Sequence, residues 1–153
     1  MTASRETLAT IRQDQRRVSP PIAALLVHIE RHIFDATLNV NRLKEACGVR
    51  NNSVAIFFHI EVGQPPGAYI ARSRLETAAK LLAHTELPIW RIADLVGYSG
   101  MPTFSRAFHR AYELRPRAYR KEQHAETRKL HEEEIPANQN VASETHQTAA
   151  VGW

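Results

Sequence analysis

Residues 58–69 read FHIEVGQPPGAY, and residues 108–119 read FHRAYELRPRAY. Phe58, Pro66 and Tyr69 recur fifty positions later as Phe108, Pro116 and Tyr119, so the pattern F-x7-P-x2-Y stands twice in one chain; His59 recurs as His109. Upstream the offset is 49, matching Leu43, Cys47 and Gly48 with Ile92, Val96 and Gly97. A one-residue change of offset locates the length difference in a turn, where insertion costs least. Each copy predicts a helix, a short glycine-containing turn and a second helix, the unit that presents its second helix to a DNA major groove.

Working outward, Asn39 is the expected N-cap of a helix carrying Val40, Leu43, Ala46 and Cys47, with Gly48 as its stop. Val54, Phe57 and Phe58 resume the pattern, which bounds the first unit at about 39–62. Ile70, Leu75, Ala78, Ala79, Leu81 and Leu82 predict a linker helix over about 67–84. The second unit spans about 89–112: Ile89 to Val96 closed by Gly97, then Ser99 as expected N-cap and Phe104, Ala107, Phe108 and Ala111 as an apolar face. Ahead of both units, Ile22, Leu25, Leu26, Ile29 and Ile33 form one helical stripe ending near Asp35. No stretch reads as a strand, so the fold class is all-α, two helix-turn-helix subdomains joined by a long linker helix. Residues 1–19 show no apolar period and are expected to be a flexible arm; 20–120 form the domain. Residues 121–153 are a polar tail too poor in large apolar groups to offset its ordering entropy, expected to be disordered beyond a helical stem over 121–134.

Composition narrows the function classes. The 153 residues suit one domain or two very small ones. There is no apolar run long enough for a membrane span and no secretory signal core, which makes a cytoplasmic protein without membrane contact the expectation. Cys47 is the single cysteine, which excludes an intramolecular disulfide and a cysteine-rich zinc module. No glycine-rich phosphate loop, nucleophile–base pattern or paired carboxylates stand out, so neither an enzyme nor a cofactor is expected. The net charge of +4 divides unevenly: residues 1–120 hold 17 Lys or Arg against 10 Asp or Glu, and residues 121–153 hold 3 against 6. A basic body of this kind suits a polyanionic partner.

The motifs of the second unit resemble the DNA-binding domain of AraC/XylS-type transcription regulators, a homeodomain-like fold. They are Pro88-Ile89-Trp90-Arg91-Ile92-Ala93-Asp94-Leu95-Val96-Gly97-Tyr98-Ser99, then Phe104-Ser105-Arg106-Ala107-Phe108-His109-Arg110, then Pro116-Arg117-Ala118-Tyr119-Arg120. Arg74-Leu75 through Ala78 to Leu81-Leu82 fits that family's linker helix. The resemblance implies sequence-specific binding of double-stranded promoter DNA, as a monomer, by two recognition helices in adjacent major grooves. It implies groove-facing positions at Met101, Pro102, Thr103, Ser105, Arg106, His109 and Arg110, a phosphate contact at Arg91, and first-unit readers at Asn51, Asn52, Ala55, Ile56 and His59. Ile56 stands where the family often has arginine, and Glu113 stands where it usually has glycine, so another way of ending that helix is expected.

Arg106 suits a bidentate contact with guanine, whereas Asn suits adenine and Ala or Ile meets only a thymine methyl. With five arginines and one glutamate over residues 101–120, the second unit is expected to supply most of the affinity. The alternative is a protein-interaction module of the same fold, acting on RNA polymerase or another regulator with weakened DNA reading. Phe57, Phe58, Phe104, Phe108, Tyr69 and Tyr119 are expected to pack in the interior. Cys47 reads as a buried structural thiol, and Arg72, Arg74 and Arg91 as exposed charges. His28 and His32 have the spacing of a metal pair, but no third ligand accompanies them.

Overall fold

The computed structural model describes residues 2–15, 17–48 and 53–134, and among these every regular element is a helix. In chain order they are α1 (Thr2–Gln15), α2 (Pro20–His32), α3 (Val40–Ala46), α4 (Ser53–Val62), α5 (Pro66–His84), α6 (Ile89–Leu95), α7 (Met101–Tyr112) and α8 (Pro116–Glu134). The tail beyond Glu134 lies outside the described residues, whereas its expected stem continues α8 without a break.

Local chemistry sets the boundaries. Pro20 and Pro66 open α2 and α5, where a missing N–H is no loss. Asn39 caps α3 by accepting from the Arg42 N–H at 3.0 Å. Ser99 does not cap α7: Gly100, in extended conformation, occupies that position, and the Phe104 N–H reaches the Gly100 carbonyl at 3.1 Å. Glu113 ends α7 with φ 59° and its N–H on the His109 carbonyl at 2.8 Å, the geometry that Gly63 adopts after α4 with φ 86° and its N–H on the His59 carbonyl at 2.9 Å. The expectation of a different ending there is corrected: the corner keeps the left-handed geometry with a glutamate in the place of glycine.

Two apolar cores lie along α5. The first gathers Ile22, Leu25, Leu26, Ile29 and Ile33, the stripe legible in the sequence, with Leu43, Phe58, Tyr69 and Ile70. The second gathers Leu75, Ala78, Leu82, Ile92, Val96, Phe104 and Phe108. The repeated Phe and Tyr make the same contact in both units. Phe58 meets Tyr69 edge-on with ring centroids 5.7 Å apart, and Phe108 meets Tyr119 edge-on at 5.3 Å.

Residues 1–19, expected to be a flexible arm, instead contribute α1, which packs on α2 and α5. Ile11 is 1% exposed in the first core. Thr7 lies on the same face, bonding the Ala3 carbonyl at 3.1 Å and the buried Thr77 hydroxyl of α5 at 2.6 Å. Ion pairs Glu6–Lys80 and Arg12–Glu30 flank that contact, and the Tyr69 hydroxyl donates to Asp14 at 2.8 Å. The buried stripe is Ala3, Thr7 and Ile11, too polar and too small to register as an apolar period, and it is stable because α2 and α5 supply the partners. Arg74 is also corrected: it is buried in α5, not exposed.

Candidate nucleic-acid interface

Each second helix is anchored by one face and presents the other. In α7, Phe104 and Phe108 are fully buried, so the residues on the opposite side of the turn stand in solvent. Pro102, Thr103, Arg106, His109 and Arg110 are exposed, and Ser105 is half-buried. Met101 is half-buried against the second core, which makes it a packing residue at the start of the helix. Pro102, Ser105, Arg106 and His109 line a shallow depression of about 340 Å³ together with Arg115 from the corner before α8. That corner was not singled out in the sequence, yet its signal was present: Arg115 falls immediately before the proline that opens the next helix, so the turn back toward α7 carries it to the same surface.

The electrostatics follow from which cations are already engaged. Among the described residues, Arg106, Arg110, Arg115 and Arg117 are exposed and pair with no carboxylate. Arg120 differs from them: it is half-buried and its Nη2 donates to the Leu87 carbonyl, tying α8 to the segment before α6. Arg91 is exposed but donates to Asp94 of its own helix at 2.9 Å. Four of the five arginines over residues 101–120 are thus available to an anion, and two of them, Arg106 and Arg115, line one depression.

The first unit has the same scaffold and a different surface. Phe58 is buried where Phe108 is buried, so the fifty-residue offset carries over to exposed positions: Arg106 corresponds to Ile56 and Arg110 to Ile60. Ile56 is 59% exposed and Ile60 68%. Ala55 is half-buried, His59 is exposed, and Asn51 and Asn52 lie outside the described residues. Phe57, expected in the interior, is 54% exposed. Consecutive helical residues point about 100° apart, so when Phe58 takes the inward position its neighbour is turned out. Ala107 is the matching residue in α7. Ile56, Phe57 and Ile60 form an apolar outer face on α4, and the sequence reading missed the last two as surface residues; the offset identifies Ile60 through exposed Arg110 but not Phe57, whose match Ala107 is half-buried against the second core.

Other candidates are placed elsewhere. Among the described residues no group of three or more His, Cys, Asp or Glu is arranged to hold a metal ion. The His28 and His32 rings lie 4.5 Å apart beside a cavity between α2 and α3, and burial, His32 and Arg31 lower the His28 pKa. Cys47 is half-buried, and burial pushes its thiol up, away from the reactive thiolate. Among the described residues no helix is long and apolar enough to cross a membrane.

Comparison with known proteins places this geometry in context. A family profile described as "Helix-turn-helix domain" matches residues 43–122. The chain is 37% identical over 83 residues to the HTH-type transcriptional regulator AlkR of Acinetobacter baylyi, covering 54% of this chain and 27% of that protein. It is 36% identical over 99 residues to the regulatory protein SoxS of Escherichia coli K12, covering 65% of this chain and 92% of that protein. Among solved structures it is similar to the C-terminal domain of AraT, a response regulator from Geobacillus stearothermophilus, with a TM-score of 0.65, 29% identity, and coverage of 85% of this chain and 99% of that one. The chain spans only 27% to 37% of the length of AlkR, LumQ and the xylose operon regulatory protein. The curated relatives are transcription regulators, a non-enzymatic class.

Proposed function

The chain belongs to the AraC/XylS family of helix-turn-helix transcription regulators, and on that premise we propose that it binds promoter DNA as a monomer, α7 and α4 entering successive major grooves. The observation that carries this reading is the outer surface of α7 and the corner after it. Arg106 and Arg110 stand on a helix whose other face is locked by two buried phenylalanines, Arg115 and Arg117 follow at the corner and the start of α8, and none of the four has an acidic partner among the described residues. Rigid anchoring lets a guanidinium meet a base edge in one orientation, and the surrounding charges neutralise phosphates. Arg106 reads guanine; Thr103, Ser105, His109 and Arg110 reach the adjoining base edges or phosphates. Arg91 joins the phosphate contacts by exchanging Asp94 for the backbone. The 19 residues of α5 span about 28 Å at 1.5 Å per residue, which with the turns at either end suits readers one helical turn of DNA apart.

The two readers are unequal. Ile56 and Ile60 in place of arginines leave α4 to meet thymine methyl groups and exclude water, so the first half-site is A/T-leaning and contributes less affinity. Selecting bound fragments from a random DNA library tests the whole reading, with two half-sites about 10 base pairs apart expected. Recovery of a single half-site, unaffected by substitutions in α4, would overturn it.

The exposed Ile56, Phe57 and Ile60 favour a second reading, in which α4 docks on RNA polymerase or another regulator while α7 alone holds DNA. Polar substitutions at Phe57 and Ile60 separate the two: on isolated DNA the first reading predicts weakened binding, the second none.

A further inference from the structure

Arg74 lies where α5 passes from one core to the other: Tyr69 and Ile70 before it belong to the first, Leu75 and Ala78 after it to the second. Its side chain has left water, at 8% exposure for the residue, and has no ion pair with a carboxylate among the described residues. Instead Nε donates to the Ile33 carbonyl at 2.7 Å and Nη2 to the Asp35 carbonyl at 2.6 Å. Both acceptors lie just beyond the C-terminal end of α2, where a cation is favoured, and the Asp35 carbonyl also accepts from the Leu38 N–H at 3.0 Å. Between them stands Phe34, and its peptide lies against the turn of the second unit. A Cβ built on Gly97 would sit 3.0 Å from the Phe34 carbonyl carbon and oxygen and 3.1 Å from Arg74 Cζ. The Phe34 side chain packs against both cores.

We propose that Arg74, clamped between the end of α2 and the Gly97 turn, is the positioning residue that sets the distance and phase between the two recognition helices. It thereby selects the half-site spacing that the protein accepts without touching DNA. α5 alone cannot do this. Each unit packs on its own half of that helix, and without the junction the units could bend or roll relative to each other while both cores stayed intact. A buried guanidinium satisfied by two fixed carbonyls tolerates no such drift, because movement strips a charge of its partners where water does not replace them. Gly97 makes the approach possible twice over: its φ of +86° suits glycine, and a side chain would strike the Phe34 backbone.

The statement about half-sites rests on the DNA-binding reading above, whereas the statement about geometry does not, and the test separates them. Spin labels at Asn41→Cys in α3 and Ala111→Cys in α7, both exposed, are introduced in a Cys47→Ser background, and their distance distribution is read by double electron–electron resonance without DNA. The parent should give one narrow peak. Arg74→Met, which keeps the alkyl stem and removes the donors, should broaden or shift that peak while the helical circular dichroism spectrum is kept. Gly97→Ala should shift it from the other side of the junction. If Arg74→Met does not fold, Arg74→Lys, which keeps a charge and a single donor group, replaces it with the same expectation. An unchanged narrow peak in the folded variants overturns the proposal. On DNA, the affinity lost when two base pairs are inserted between the selected half-sites should shrink by about tenfold in Arg74→Met, as a stiff connection becomes a compliant one. An unchanged spacing penalty there also overturns it. Absence of any DNA preference in the parent protein defeats the DNA-binding reading, and the distance distribution still decides the junction.

Discussion

Arg115→Gln and Arg117→Gln, made together, should flatten the salt dependence of DNA binding by a calculable amount. Each phosphate neutralised by the protein contributes about −0.9 to the slope of log K against log salt on B-DNA. With Arg106 on a base edge, Arg110, Arg115 and Arg117, which pair with no carboxylate among the described residues, predict about −2.7 from this surface, not the roughly −3.6 that adding Arg120 would give. The difference is Arg120, engaged with the Leu87 carbonyl. Fluorescence anisotropy of a labelled duplex, over a salt series from low to physiological ionic strength, reads the slope directly. The double variant should lose about 1.8 of it, whereas Arg120→Gln should leave it unchanged and lower thermal stability instead. Placing arginines at positions 56 and 60, by Ile56→Arg with Ile60→Arg, should steepen the slope by up to about 1.8 if α4 faces phosphates as α7 does. An Arg120→Gln variant that loses as much slope as an Arg117→Gln variant would refute the division of these arginines into tied and available groups.

Further outcomes follow from the same contacts. Arg106→Ala should weaken binding to the selected site by about 1–3 kcal/mol and relax one base position, measured by competition among single-base variants; an equal loss on every sequence would identify Arg106 as a phosphate ligand. Ile11→Ala should lower the free energy of unfolding by about 2–5 kcal/mol in urea titration, although the residue is remote from α7, and a cost near zero would restore the flexible arm. Glu113→Gly should raise stability by up to about 1 kcal/mol, read as a higher Tm, because it relieves a left-handed conformation at no loss of an ion pair among the described residues.

Much of the architecture was legible because the chain says the same thing twice. Phe58 and Tyr69 against Phe108 and Tyr119 announce a repeated contact, and the structure makes it edge-to-face in both units. The α2 stripe was equally readable, since five large aliphatic residues at spacings of three and four admit one buried face. α1 was not readable: its inward residues are Ala3, Thr7 and Ile11, and Thr7 is stabilised by Thr77, seventy positions away. Phe57 misled for the opposite reason. Hydrophobicity marks a residue as able to be buried, while the rotation of α4 about its axis, decided by Phe58, turned it outward.

Taken alone, the sequence determines the all-α fold and the pair of helix-turn-helix units, because these depend on local periodicity, turn glycines and a repeat that can be counted along the chain, and the family through the resemblance of its second-unit and linker-helix motifs. It also locates the unequal charge of α4 and α7, since Arg106 against Ile56 is a comparison of letters at matched positions. Only the tertiary structure decides which cations are available. Arg74, Arg91, Arg106 and Arg120 look alike in one dimension, yet one is buried on the end of α2, one is paired within its helix, one is exposed with no carboxylate partner among the described residues, and one is tied to a carbonyl 33 positions away. The reason is that an arginine's role is set by what lies within a few ångströms of its guanidinium, and for buried groups those neighbours come from elements distant along the chain.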